Sequence, residues 1–338
     1  MDGLTPKPPI DFYETWPKGL EDVALRDIRQ VLPRPSLIRI AGDAPQPLFL
    51  SILLHGNEAT SFLVLQALAR QYRSKTPARS LLIFVGNVYA AEQGVRTLPG
   101  QIDYNRIWGD PLADEASEFG LSHLVLSTAR REGLFASIDI HNTTGRNPAY
   151  GCVTAMRAED MGMARLFSDI CVFYQNPPTT QSIAFSKLCP ALIVECGQSG
   201  DTEGLEAAIR LVEDMMALTE LPYTVPGDLK LYETIGRVTL PQDKTIELSA
   251  NDQADIQLSP DAEDWNFQTL PSGTPFLKVH GQDHGVLVVD EHGHDLTSHF
   301  LEYREGALVL KRDVVPAMIT TCKNAILADC LCYLMREL

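Results

Sequence analysis

The chain lacks the features that would place it in several large classes of protein. No apolar stretch approaches the roughly 20 residues needed to span a bilayer, and no membrane partner is expected. The N-terminus, MDGLTPKPPIDFYETWPKG, is polar and proline-rich, without a basic-then-apolar leader pattern. Cations are scarce: 28 Lys and Arg stand against 44 Asp and Glu, a formal net charge of −16. Such a chain is repelled by a phosphate backbone, so no nucleic-acid partner is expected. The 7 cysteines are odd in number and irregular in spacing, unlike a disulfide framework. They read as reduced thiols in a cytoplasmic protein. HExxH is missing, and no histidine follows Glu58 along its helix, so helix-borne zinc motifs are excluded. GQSG (197–200) is not GxSxG and has no ordered Asp and His partners, which argues against a serine hydrolase.

What is present is a core. The chain has 338 residues and is 45% hydrophobic; its mean hydropathy of −0.05 is that of a globular protein. Four short apolar runs stand out: LFLSILL (48–54), LLIFVGNV (81–88), ASIDI (136–140) and ALIVEC (191–196). Segments with helical spacing lie between or after them: TSFLVLQALARQY, SHLVLSTARREG, GMARLFSDICVFY and TEGLEAAIRLVEDMMALTE. This alternation predicts an α/β domain with a largely parallel sheet, over about residues 1–225. Near LPYTVPGDLKLYE (221–233) the texture changes to β-branched runs broken by turn residues. A smaller β-rich domain is expected over 226–338, ending in a C-terminal helix within VPAMITTCKNAILADCLCYLMREL.

Each run of the first domain ends on polar residues. His55, Gly56, Asn57 and Glu58 follow the first, and Asn87, Arg96 and DYNR (103–106) follow the second. The third ends in DIHNTTG, with His141 just past the strand, and the fourth in VECG, with Glu195 near its tip. Ligands of an open α/β sheet bind outside the carboxyl ends of its strands, so these groups can share one crevice. Two histidines and a carboxylate make a usual ligand set for catalytic zinc, leaving a fourth position for water. His55 and Glu58 are three apart, so a turn entering a helix can aim both at one ion, with His141 as the third ligand. Glu195 is then left as a base for the water. An acidic protein that takes an anionic substrate also needs positive charge concentrated locally.

Taken in order, HGNE, the arginine with DYNR, DIHNTTG and the glutamate of VECG resemble the succinylglutamate desuccinylase/aspartoacylase family. DWNFQTLPSGTPF (264–276) adds a weaker likeness to the LNF…GT segment of desuccinylases. The resemblance implies a zinc-carboxypeptidase-like αβα fold with a mixed, largely parallel sheet. It implies one Zn2+ per chain on His55, Glu58 and His141, with Glu195 as general base and proton donor to the departing amine. It implies that Arg96 stabilises the oxyanion and that Asn105 and Arg106 hold the carboxylate of a small N-acyl amino acid. An arginine fork matches a carboxylate geometrically. Asn142, Arg146 and Tyr150 lie close to the third ligand in sequence and are further candidate substrate contacts. Tyr104 stands where the family often has Leu or Met, and CGQSG after Glu195 is unlike either named enzyme. Two other readings belong with this one: a metallocarboxypeptidase acting on short peptides, and a catalytically silent binding protein on the same fold.

The remaining histidines and cysteines have plainer readings. His280, His284, His292, His294 and His299 sit among Gly and Asp, as in solvated hairpins. Cys322, Cys330 and Cys332 are assigned to the apolar C-terminal helix, and Cys196 should point away from Glu195 and pack.

Overall fold

The computed structural model describes residues 10–109, 118–175, 177–225, 227–248, 254–281 and 284–338. Residues 1–9 of the polar N-terminus, residue 226 at the expected domain boundary, 249–250 of KTIELSA and 282–283 of the histidine tract lie outside them. The chain divides into two units. One comprises 1–142, 149–171 and 175–229; the other comprises 143–148, 172–174 and 230–338.

The first unit runs β1 (Asp11–Tyr13), β2 (Ser36–Ile40), β3 (Ala44–Ile52), α1 (Ala59–Tyr72), β4 (Arg79–Val85), α2 (Val88–Gln93) and α3 (Glu118–Glu132). It continues with β5 (Ala136–Thr143), β6 (Tyr150–Val153), α4 (Ala158–Phe167), β7 (Ile170–Phe173), α5 (Gln181–Phe185), β8 (Ala191–Gln198) and α6 (Thr202–Ala217). Its strands lie in the order β1-β2-β4-β3-β5-β8-β6-β7. The pairs β1/β2, β3/β4 and β3/β5 are parallel, whereas β2/β4 and β6/β8 are antiparallel. Every residue of β4 and β5 is buried. A strand covered on both faces is commonly apolar on both, which is why Leu81–Val85 of β4 reads as a continuous run; β5 departs from this, with Ser137, Asp139 and His141 on one buried face. The helices have one apolar stripe each: Ala208, Leu211, Val212, Met215 and Met216 of α6 recur at helical spacing and are buried.

Two expectations about local structure change here. DICVFY was assigned to a helix with GMARLF, but the helix ends at Phe167 and Ile170–Phe173 form β7. Cys171 and Val172 are buried there, and their β-branched, aromatic run suits a strand. His141, expected just past its strand, lies within β5, which continues to Thr143.

The second unit contains β9 (Lys230–Thr239), β10 (Ile246–Glu247), β11 (Ile256–Gln257), β12 (Pro275–Val279), β13 (Leu287–Val289), α7 (Thr297–Phe300) and β14 (Leu301–Arg304). β15 (Ala307–Leu310), β16 (Val315–Ala317), α8 (Lys323–Ala328) and β17 (Cys332–Glu337) follow. β13 and β17 both pair antiparallel with β9, and β16 pairs antiparallel with β17. A second sheet has the order β10-β11-β12-β15-β14. One core of Val238, Ile256, Phe276, Leu308, Ile319 and Leu334 joins these strands.

The expected C-terminal helix is corrected. Only Lys323–Ala328 is helical, and the chain ends in a strand. The run CYLM is too short to distinguish the two periods, and the β9 edge decides: Cys332, Leu334 and Met335 are buried beside it. Cys322 precedes α8 and is exposed, and Cys332 lies in β17, so neither belongs to a helix face.

Candidate metal centre and active site

The site grows from the turn after β3. Leu53 has φ +54, a left-handed conformation uncommon for a residue with a side chain. Its carbonyl accepts from the Asn87 amide at 2.7 Å, and its amide donates to Ser61 Oγ at 3.1 Å. Gly56 follows, and no other residue fits: a Cβ there would lie 2.2 Å from the Ala90 carbonyl carbon. The Gly56 amide donates to the Arg96 carbonyl at 3.1 Å. The turn leaves His55 and Glu58 facing each other, 2.6 Å from Nδ1 to Oε1. From β5, His141 brings its Nδ1 to 2.7 Å from Glu58 Oε2. All three side chains are buried, with ligand atoms within 4.8 Å of one another. Among the described residues this is the group of three His, Cys, Asp or Glu side chains that converges in this way.

The outer nitrogens are held too. His55 Nε2 lies 3.0 Å from Asp103 Oδ1, and His141 Nε2 lies 3.0 Å from Asp139 Oδ2. Each imidazole therefore presents Nδ1 inward and turns Nε2 to a carboxylate. Metal-binding histidines recur in this pattern, because the carboxylate fixes the tautomer and the ring plane. The donor set suits a borderline divalent ion such as zinc. Asp103 also pairs with Arg96, at 3.0 Å, and Arg96 comes within 3.8 Å of Glu58 Oε1.

The electrostatics follow from burial and pairing. Burial pushes the Glu58 carboxyl up, but the imidazoles of His55 and His141 outweigh it and hold it well below the usual carboxylate range. Asp103 is likewise raised by burial and lowered further by its bond to His55, then by Arg96 and Arg106. At Glu195 the balance goes the other way. This glutamate is half-buried as a residue, yet its Oε2 is shielded and has no hydrogen-bond partner among the described residues. Desolvation pushes its carboxyl up to about 7, against the attraction of His141. A carboxyl tuned toward neutrality suits proton transfer.

The other expected residues are placed as follows. Asn105 Oδ1 accepts from the Gln181 amide at 2.9 Å, and its Nδ2 lies 3.4 Å from His141 Nε2. Arg106 donates to the Asn105 carbonyl at 3.0 Å. Tyr150 is buried and pairs in register with Glu195 across β6 and β8. The Asn142 carboxamide is engaged inside the unit, with Thr60 Oγ1 at 2.9 Å and the Gly197 carbonyl at 3.0 Å. Arg146 belongs to the second unit, where it pairs with Asp264 at 2.7 Å and approaches Glu263. Tyr104 is buried among Phe84, Ile107 and Trp108. His292 and His294 lie exposed on a turn whose Asp290 accepts from both of their amides at 2.8 Å. None of the seven cysteines is bonded to another, and burial pushes the Cys152, Cys171 and Cys196 thiols up, which makes them unreactive.

The sequence reading missed Asp103, Asp139 and Gln181. The first two had a signal, since each lies inside a motif already singled out. Gln181 had none.

The succinylglutamate desuccinylase/aspartoacylase catalytic-domain model matches residues 46–216, about half of the chain. No curated protein sequence matches. Among solved structures, murine aminoacylase 3 is similar at 15% identity with a TM-score of 0.58, over 87% of this chain and 96% of that one. The Chromobacterium violaceum succinylglutamate desuccinylase is similar at 16% identity with a TM-score of 0.52, over 81% and 87%. A Rhodobacter sphaeroides succinylglutamate desuccinylase/aspartoacylase is similar at 15% identity with a TM-score of 0.56, over 89% and 88%. At these identities the likeness is one of fold.

Proposed function

Because this chain belongs to the succinylglutamate desuccinylase/aspartoacylase family, we propose that it is a zinc-dependent amidohydrolase deacylating a small, carboxylate-bearing N-acyl amino acid. The observation that carries this reading is the buried convergence of His55, Glu58 and His141 in a unit that also holds the shielded carboxyl of Glu195. His55, Glu58 and His141 would hold the ion. When bound, zinc supplies Lewis acidity toward water and the acyl carbonyl.

The protein's own groups do the rest. Glu195 takes a proton from the attacking water and returns it to the amine nitrogen as the amide bond breaks, giving a carboxylate and an amine. A base of this kind contributes about 10²–10⁴-fold. Arg96 offsets negative charge as it develops on the acyl oxygen, and such a donor contributes about 10²–10³-fold. Asn105 Nδ2 and the Arg106 guanidinium bind the substrate carboxylate, which answers the need for local positive charge in an acidic protein.

The test is metal content measured together with amine release, on a panel of N-acetyl, N-succinyl and N-formyl amino acids, with and without a chelator. About one zinc per chain with chelator-sensitive release supports the proposal and begins to name the acyl group. Zinc without release across the panel turns the reading toward a peptidase or a silent binder. Protein purified without chelators that contains no zinc overturns the metal centre.

A further inference from the structure

Beneath His141 the first unit buries a patch of polar atoms that the proposed reaction does not use. Ser137, Asp139 and His141 lie on one face of β5, spaced by two. Ser51 of β3 stands beside Asp139 in the parallel register, and Phe49 stands beside Ser137. Helix α5 covers this face: Gln181 Nε2 donates to Ser137 Oγ at 3.1 Å, and the Phe185 ring packs 4.2 Å from that of Phe49. Ser51, Ser137 and Gln181 are 0% exposed and Asp139 is 1% exposed.

The hydrogen bonding of this patch does not close on protein groups alone. Among the described residues no donor is aligned on either Asp139 oxygen, and the nearest, His141 Nε2, lies 3.0 Å from Oδ2. Among the same residues Gln181 Oε1 and Ser51 Oγ have no partner either. Three acceptors of the patch thus lack an aligned donor among the described residues, and beside them stand the hydroxyls of Ser51 and Ser137. Its far side is apolar, formed by Phe49, Phe185 and Trp108. Buried polar atoms are satisfied by protein or by ordered water, and a closed polar recess with several partners is where internal water is found.

We propose that Ser51 and Gln181 are positioning residues for the metal centre: with ordered water between them they complete the hydrogen bonding of Asp139, and Asp139 holds the outer nitrogen of His141. This rests on the reading of His141 as a metal ligand. The same helix start also orders a second side chain near His141, since the Gln181 amide donates to Asn105 Oδ1.

The experiment measures zinc affinity by competition with a chelator in wild type, Ser51→Ala, Gln181→Met, Asp139→Asn, and each of the first two combined with Asp139→Asn. Outer partners of metal-binding histidines are typically worth about 10–100-fold in affinity. Ser51→Ala and Gln181→Met should each weaken zinc binding about tenfold. In the Asp139→Asn background neither should weaken it further, because their effect passes through Asp139. Unchanged affinity in both single variants, or losses that multiply with Asp139→Asn, overturns the proposal. A high-resolution crystal structure of the wild-type chain is the second arm and needs no variant to fold. Ordered water within hydrogen-bond reach of Asp139 and Gln181 Oε1 supports the proposal, and a dry recess overturns it. A wild type that binds no zinc overturns the ligand reading of His141 instead, and the crystal arm then decides the hydrated recess separately.

Discussion

Glu195 illustrates what one residue owes to its surroundings. Its carboxyl is raised toward neutrality by desolvation, whereas Glu58, also buried, is lowered by two imidazoles. The same side chain is thus held ionised in one place and pushed toward neutrality in the other, as the proposed roles of ligand and base require. Glu195→Gln keeps shape and removes the base. It should lower kcat by about 10²–10⁴-fold with zinc content unchanged; retained turnover would remove Glu195 from the mechanism. Arg106→Ala should raise KM, or lower kcat/KM, far more for carboxylate-bearing substrates than for neutral amides. Steady-state comparison of matched acid and amide substrates reads this directly, and equal losses on both would discard the anchoring role.

At the scale of the element, α6 shows how one helix is fixed at both ends and along its face. Asp201 caps it, accepting from the Glu203 amide at 2.9 Å. At the other end buried Arg79 donates to the Leu218 carbonyl at 2.7 Å and to the Gln46 carbonyl at 3.0 Å, with its guanidinium 3.5 Å over the Phe135 ring. A cation at a helix C-terminus is favoured by the dipole. Gly204 lets the helix approach β8, because a Cβ there would lie 1.9 Å from the Cys196 carbonyl oxygen. Asp201→Ala should cost about 1 kcal/mol. Gly204→Ala should cost more, about 1–3 kcal/mol or a shift of the helix, as overpacking does. Urea unfolding midpoints of the two variants check the order; a neutral Gly204→Ala would mean that α6 sits further from β8 than described.

At the scale of the whole molecule, each unit has its own buried polar centre, and in the second unit this is Glu263. It accepts from the Thr321 amide at 2.7 Å and from the Arg146 amide at 3.0 Å. Asn266 joins the same segments, donating to the Arg146 carbonyl at 2.8 Å and the Ile319 carbonyl at 2.9 Å. Burial raises the Glu263 carboxyl, but these amides, the Thr321 hydroxyl and Arg146 outweigh it, and its value is lowered overall. A lowered carboxylate adds stability above its unfolded value, and that stability is lost as pH falls through the folded one. The stability gap between wild type and Glu263→Gln should therefore be widest near neutrality and shrink as pH drops below the ordinary carboxylate range. Denaturant midpoints measured from pH 7 to pH 3 test this, and a gap that does not change with pH would rule it out.

The strand ends, the α/β alternation and the candidate ligands His55, Glu58 and His141 were legible in the chain because they are local. A continuous apolar run implies a buried strand, and a spacing of three across a glycine turn puts two ligands on one side. DYNR and DIH were equally visible, but not what their aspartates do. Asp103 reaches His55 only because the segment after α2 comes back to the turn after β3, and Asp139 meets His141 through the pleat of β5. Whether CYLMRE is a helix or a strand depended on an open edge of β9, and the importance of Gln181 depended on α5 closing over Ser137. Sequence by itself determined which elements form and which side chains can bind a metal, because those follow from period and residue type. Tertiary structure alone decided which carboxylates lie beside those side chains and which carboxyl is desolvated, because both depend on neighbours far away in the chain and on the exclusion of water.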